Sequence, residues 1–114
     1  MNIRDSSNQS AVTLILNASP DSALLNNRAK ILNEAGYYTS SARTAEEAVQ
    51  YAASMNCDLA IICYSFASNE IKTLSERLQR LSPGTTIVCL EPGLDDNTSV
   101  LVSRIQEALS RLSA

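Results

Sequence analysis

The stretch Asp58–Ser68, "DLAIICYSFAS", decides the fold. An unbroken apolar run closed by a polar loop is the pattern of a parallel strand buried on both faces. In open α/β sheets, chemistry gathers at the carboxyl ends of such strands. Cys63 therefore stands where an active group is expected, and the question is what a cysteine does there.

Working outward, "AVTLIL" (Ala11–Leu16) is apolar on both parities and predicts a central strand. It ends at "NASPD", where Ser19 followed by Pro20 predicts an N-cap with proline in the first helical position, and Asp21 complements the helix dipole. The helix that follows has Leu24, Leu25, Ala29, Ile31, Leu32 and Ala35 on its apolar face. Asn26, Asn27, Arg28 and Lys30 form its wetter side, and Gly36 stops it. "YYTSSA" (Tyr37–Ala42) alternates with polar residues and predicts an edge strand. Thr44 with Glu47 is a capping box opening a helix whose Ala45, Ala48, Val49, Ala52 and Met55 line one face.

Downstream, a helix over Asn69–Leu81 turns Ile71, Leu74, Leu78 and Leu81 inward. "SPG" (82–84) makes a turn, and "TTIVCL" (Thr85–Leu90) is a fourth β-rich run. The last helix, Thr98–Leu112, carries Val100, Leu101, Ile105, Ala108, Leu109 and Leu112. Alternating strands and helices with short connections imply crossover units and a parallel sheet covered on both sides. The carboxyl rim would then carry Asn17, Ala18, Ser19, Cys63, Tyr64, Glu91 and Pro92.

A chain of 114 residues makes one domain, read as 11–114 after a polar, flexible 1–10 segment with no hydrophobic signal region. No apolar run approaches the roughly 18 residues that span a bilayer, so no membrane association is expected. Nine Lys and Arg against twelve Asp and Glu form no basic block, which argues against nucleic acid as a partner. Three cysteines without a Cys-x-x-Cys spacing, and no histidine, predict a reducing, cytoplasmic setting and no zinc site. The missing histidine also removes the Ser-His and Cys-His nucleophile pairs. No catalytic residue, metal or cofactor is expected.

The run from Leu14 to Phe66, "LILNASPD…AGY…A…EEA…DLAIICYSF", resembles a response-regulator receiver domain, the CheY-like, flavodoxin-like module of bacterial phosphorelays. The resemblance covers roughly residues 12–90 and implies a three-layer α/β/α sandwich. Only 24 residues follow Leu90, room for a loop and one helix, so the expected form is shortened. It has four strands in the order 2-1-3-4, with the last helix directly after strand 4.

By the same resemblance, Cys63 occupies the phosphoacceptor aspartate position, and Asn17 and Ala18 the acidic metal-pocket positions. Glu91 occupies the switch hydroxyl and lysine position. A thiol, an amide and a methyl cannot replace hard oxygen ligands for Mg²⁺. The implied protein is a degenerate, non-phosphorylated pseudo-receiver that works by binding a signalling protein, with Tyr64 and Phe66 as candidate contacts. A homodimer is expected through strand 85–90 or helix 98–112.

Two other readings stand beside it. One is a thiol-based redox sensor centred on Cys63, with no Lys or Arg near it in sequence to activate the thiol. The other is a small-molecule binder at the rim, disfavoured because no Gly-rich loop follows the first strand. Cys57 and Cys63 lie at opposite ends of one strand, roughly 20 Å apart, and cannot bridge. A Cys63–Cys89 contact requires both side chains to share a face. Ser19-Pro20-Asp21, Asp95-Asp96 and Glu46-Glu47 are read as helix caps and N-terminal charges rather than sites.

Overall fold

A computed structural model of the chain describes residues 13–93 and 97–113, with the side chains of 111–113 left aside. The expected flexible segment 1–10, the start of the first strand at Ala11 and Val12, the Asp95-Asp96 pair and the Leu112 side chain lie outside what is described.

The elements are β1 (Leu14–Ala18), α1 (Ser22–Glu34), β2 (Tyr38–Ala42), α2 (Ala45–Ser54), β3 (Leu59–Ile62), α3 (Ser68–Leu81), β4 (Thr86–Cys89) and α4 (Thr98–Ser113). All strand pairings are parallel, in the order β2-β1-β3-β4. The four-stranded flavodoxin-like arrangement read from the sequence is the one observed. The first strand runs to Ala18, two residues beyond the expected end. Asn17 and Ala18 pair with Ser41 and Ala42 on one side and with Ile61 and Ile62 on the other, and this ladder overrides the poor strand preference of Asn.

The period of two along the strands sorts the core into two halves. Leu16, Ala18, Ala60 and Ile62 face α2 and α3, where they meet Ala48, Val49, Phe66, Leu74 and Leu78. Ile15, Leu59, Ile61 and Val88 face α1 and α4, where they meet Leu32, Leu101, Ile105 and Ala108. β3 is buried along its whole length, as its apolar run required.

Helix ends follow local chemistry with one shift. Asp21, not Ser19, caps α1, its Oδ1 accepting from the Leu24 N–H at 3.1 Å. Ser19 instead accepts the Asp21 N–H at 3.1 Å, making the turn that leads into the cap. At the other end, Gly36 adopts φ +98° and closes a Schellman motif through Tyr37 N–H to Leu32 O and Gly36 N–H to Asn33 O. Thr44 Oγ1 accepts from the Glu47 N–H, while the Glu47 carboxylate accepts from the Arg43 N–H, one residue before the partner a standard box would use. Asn97 caps α4 through its Oδ1.

Three inward or outward assignments change. Ala35 falls outside α1 and is exposed. Leu81 continues the stripe of Leu74 and Leu78, but it stands in the last turn of α3, on a surface groove beside Val49, Arg77 and Arg80, and stays 47% exposed. Arg28, assigned to the wet side of α1, is 2% exposed. Leu74→Ala is expected to cost about 2–5 kcal/mol in urea unfolding, whereas Leu81→Ala stays within about 0.5 kcal/mol. Equal losses at the two positions would contradict the burial described.

Candidate functional site

The parallel ladder brings three strand ends together on the α1 face of the sheet. The Cys63 N–H donates to the Ala18 carbonyl and the Leu90 N–H to the Ile62 carbonyl. Register therefore sets Ser19 beside Cys63 on one side and Leu90 on the other. Cys63 is 0% exposed, Ser19 0% and Leu90 4%.

After Cys63 the chain folds back in a turn closed by the Phe66 N–H on the Cys63 carbonyl at 3.3 Å. This turn points Ser65 back at the sulfur, with its hydroxyl at 3.0 Å and its N–H at 3.4 Å. The thiol stands where a side-chain oxygen would in an Asx turn. From above, Arg28 on α1 lowers its guanidinium onto the same sulfur, Nη1 to Sγ 2.9 Å. The guanidinium also lies over the Tyr64 ring, 5.5 Å from the centroid, within cation–π range.

Burial disfavours the Cys63 thiolate. Hydrogen bonds from the Ser65 and Ser19 hydroxyls, the Ser65 N–H and Arg28 outweigh it and bring the thiol below its ordinary pKa. The single Ser19 hydroxyl proton has two acceptors, this sulfur and the Asp21 carbonyl at 3.2 Å. Cys57 behaves in the opposite way: burial first, and the Asp58 charge second, push its thiol up.

Asn17, 1% exposed, donates from Nδ2 to the Leu25 carbonyl at 3.0 Å and to Ser41 Oγ at 3.4 Å. Its Oδ1 is buried without a hydrogen-bond partner.

Ala18 does not reach this place, because its side chain faces α2 and α3 in the opposite core half. Ser19 stands nearer Cys63 than either expected pocket position. Glu91 is exposed at the rim, one residue past the Leu90 that lies beside Cys63. Tyr64 is half-buried. Phe66, a candidate partner contact, is 5% exposed and packed in the α2–α3 half of the core, so it offers nothing to a partner. Cys89 pairs in register with Ile62 and meets Ser75 of α3, which places it on the face opposite Cys63 and rules out the conceivable bridge. Among the described residues no cluster of three His, Cys, Asp or Glu side chains could hold a metal ion.

Arg28 and Ser65 were missed by sequence reasoning. Leu25, Arg28 and Leu32 are spaced i, i+3, i+7, which places residue 28 on the inward stripe whatever its type. Ser65, two residues after Cys63, has the spacing of a side-chain turn.

No family model matches the chain, and no curated protein matches it. Solved structures do. A CheY-like response-regulator receiver domain from Methanospirillum hungatei JF-1 superposes with TM-score 0.76 at 23% identity, covering 90% of this chain and 97% of that one. The signal receiver domain of an HD domain-containing protein from Pseudomonas fluorescens Pf-5 gives 0.77 at 22%, covering 90% and 98%. A protein assigned to pilus assembly (CpaE) in Burkholderia thailandensis E264 gives 0.68 at 21%, covering 87% and 99%. The fold is that of the CheY-like receivers.

A lowered Cys63 pKa means that the native state binds fewer protons than the unfolded chain between the lowered and the ordinary thiol values. Its contribution to stability is complete above the ordinary value and is lost as pH falls through the lowered one. The urea-unfolding free energy of the wild type, minus that of Cys63→Ser, should therefore rise with pH across that window. A flat difference would remove the thiolate.

Proposed function

We propose that this chain is a receiver-like signalling module that carries no phosphoryl group and acts by binding another protein. The observation that supports this most is the state of the position at the end of β3. A cysteine stands there with Arg28, Ser65 and Ser19 directed at its sulfur. A receiver needs an open carboxylate and a divalent cation held by further carboxylates at this place. A buried guanidinium occupies the space and repels such a cation. What remains useful is the scaffold, whose rim and helices present surface to a partner without chemistry of their own. The structural kinship with a protein assigned to pilus assembly, beside that with phosphorelay receivers, fits a scaffold put to use as a docking unit. The setting proposed is the bacterial cytoplasm. Among the described residues no helix is long and apolar enough to cross a membrane.

A homodimer through β4 and α4 belongs to the same reading. β4 has a strand neighbour on one side, β3, and its other edge is open within the described sheet. α4 packs on the face of the sheet with α1. Beside the open edge runs a groove lined by Ile87, Cys89, Arg104 and Glu107 among others.

Incubation with acetyl phosphate and Mg²⁺ should leave the intact mass unchanged, and beryllofluoride should leave the backbone NMR spectrum unchanged. A stoichiometric acyl phosphate would overturn the reading. Light scattering should report a dimer that Ile87→Lys converts to monomer, while a monomer at all concentrations would sink that part alone.

A further inference from the structure

A docking module has no need of a buried Arg28–Cys63 pair. Desolvating a cation is costly, and apolar replacements of similar volume are often neutral or stabilising. The pair also adjoins an unsatisfied group. Asn17 lies on the same sheet face as Cys63, one strand over and two residues back along the register. Its Nδ2 is engaged by Ser41 on β2 and by the α1 carbonyl of Leu25, which turns the amide nitrogen away from β3. Its Oδ1, in a residue only 1% exposed, is left as a buried acceptor without a donor. A buried acceptor without a donor is a cost that native structures rarely leave in place.

The geometry points to Cys63 as a site of oxidation by a hydroperoxide, stopping at a sulfenic acid whose hydroxyl is received by Asn17 Oδ1 while the sulfur stays beneath Arg28. The thiolate sulfur attacks one peroxide oxygen; an S–O bond forms and the O–O bond breaks. Sulfur loses two electrons to the peroxide, and the departing hydroxide or alkoxide takes a proton from solvent and leaves as water or alcohol. Arg28 and the Ser65 N–H stabilise the thiolate. Cys63 therefore carries the reaction, and Asn17 contributes the one group the product needs and the thiol does not. This inference does not rest on the docking reading.

Access and fate are both set by the fold. The sulfur is itself buried, and the Ser65 hydroxyl 3.0 Å from it belongs to an exposed residue. Cys57 is buried with its thiol pKa raised, and Cys89 is exposed with the Ser75 hydroxyl 3.9 Å from its sulfur. With Cys89 on the other face of the sheet and Cys57 at the other end of the strand, no cysteine of the same chain can resolve the product as a disulfide. The sulfenic acid persists or passes to an external small thiol.

The test treats the full chain with hydrogen peroxide in the presence of dimedone, followed by intact mass and peptide mapping. The expected result is one adduct, on Cys63, formed ahead of Cys57 and Cys89. Arg28→Gln should slow it several-fold, because the guanidinium hydrogen bond that favours the thiolate is lost. Because that buried change can unfold the chain, Ser65→Ala at an exposed position is the second variant, expected to slow the reaction several-fold with circular dichroism unchanged. Asn17→Leu should leave the first oxidation rate similar and hasten the further step to sulfinic acid, seen as added oxygen by mass. Absence of a Cys63 adduct in the folded protein, earlier reaction of Cys89, or an unchanged rate in folded Ser65→Ala would each overturn the assignment.

Discussion

The position of β3 between β1 and β4 is the constraint on which the rest depends. A strand paired in parallel on both sides and covered on both faces cannot expose any of its residues, so Leu59–Ile62 must be apolar throughout. The same pairing leaves no freedom at its carboxyl end. The Ala18 carbonyl takes the Cys63 N–H and the Ile62 carbonyl takes the Leu90 N–H. Ser19, Cys63 and Leu90 are thereby lined up across three strands before any side-chain chemistry is considered.

On that frame one helix supplies the electrostatics. α1 packs against the sheet through Leu25 and Leu32, and the residue between them on the same stripe is an arginine. Burying a guanidinium is tolerable only where good acceptors wait for it. The Cys63 sulfur at 2.9 Å and the Tyr64 ring face contribute to that requirement from the rim. The exchange is mutual, since the cation that needs an acceptor also favours the thiolate. The pocket at the end of β3 is built from one cation, two hydroxyls, an amide and a thiol.

Much of the architecture was legible from local pattern. The apolar runs, the polar alternation of Tyr38–Ala42, the Gly36 stop and the Thr44 cap each rest on forces that act within a few residues, and they fell where periodicity and capping chemistry put them. Short crossover connections then require a parallel sheet, and the strand order is the one that the resemblance to receiver domains implied. The misreadings are of a different kind. Asp21 rather than Ser19 caps α1 because the Ser19 side chain is drawn into the turn and toward Cys63. Leu81 is apolar on a correct stripe but ends at a surface groove rather than in the core.

What the sequence determined by itself is the set of strands and helices, their parallel pairing, and the thiol at the end of β3, because hydrophobic period and turn chemistry are local properties of the chain. Only the tertiary structure decided what surrounds that thiol. Arg28 is 35 residues from Cys63 along the chain, Ser19 is on another strand, and the orphaned Asn17 oxygen is visible only once β2 and α1 have claimed its nitrogen. Residue type suggested that an arginine belongs in water; an acceptor at the end of β3 helped make burial tolerable, and no pattern along a single segment carries that information.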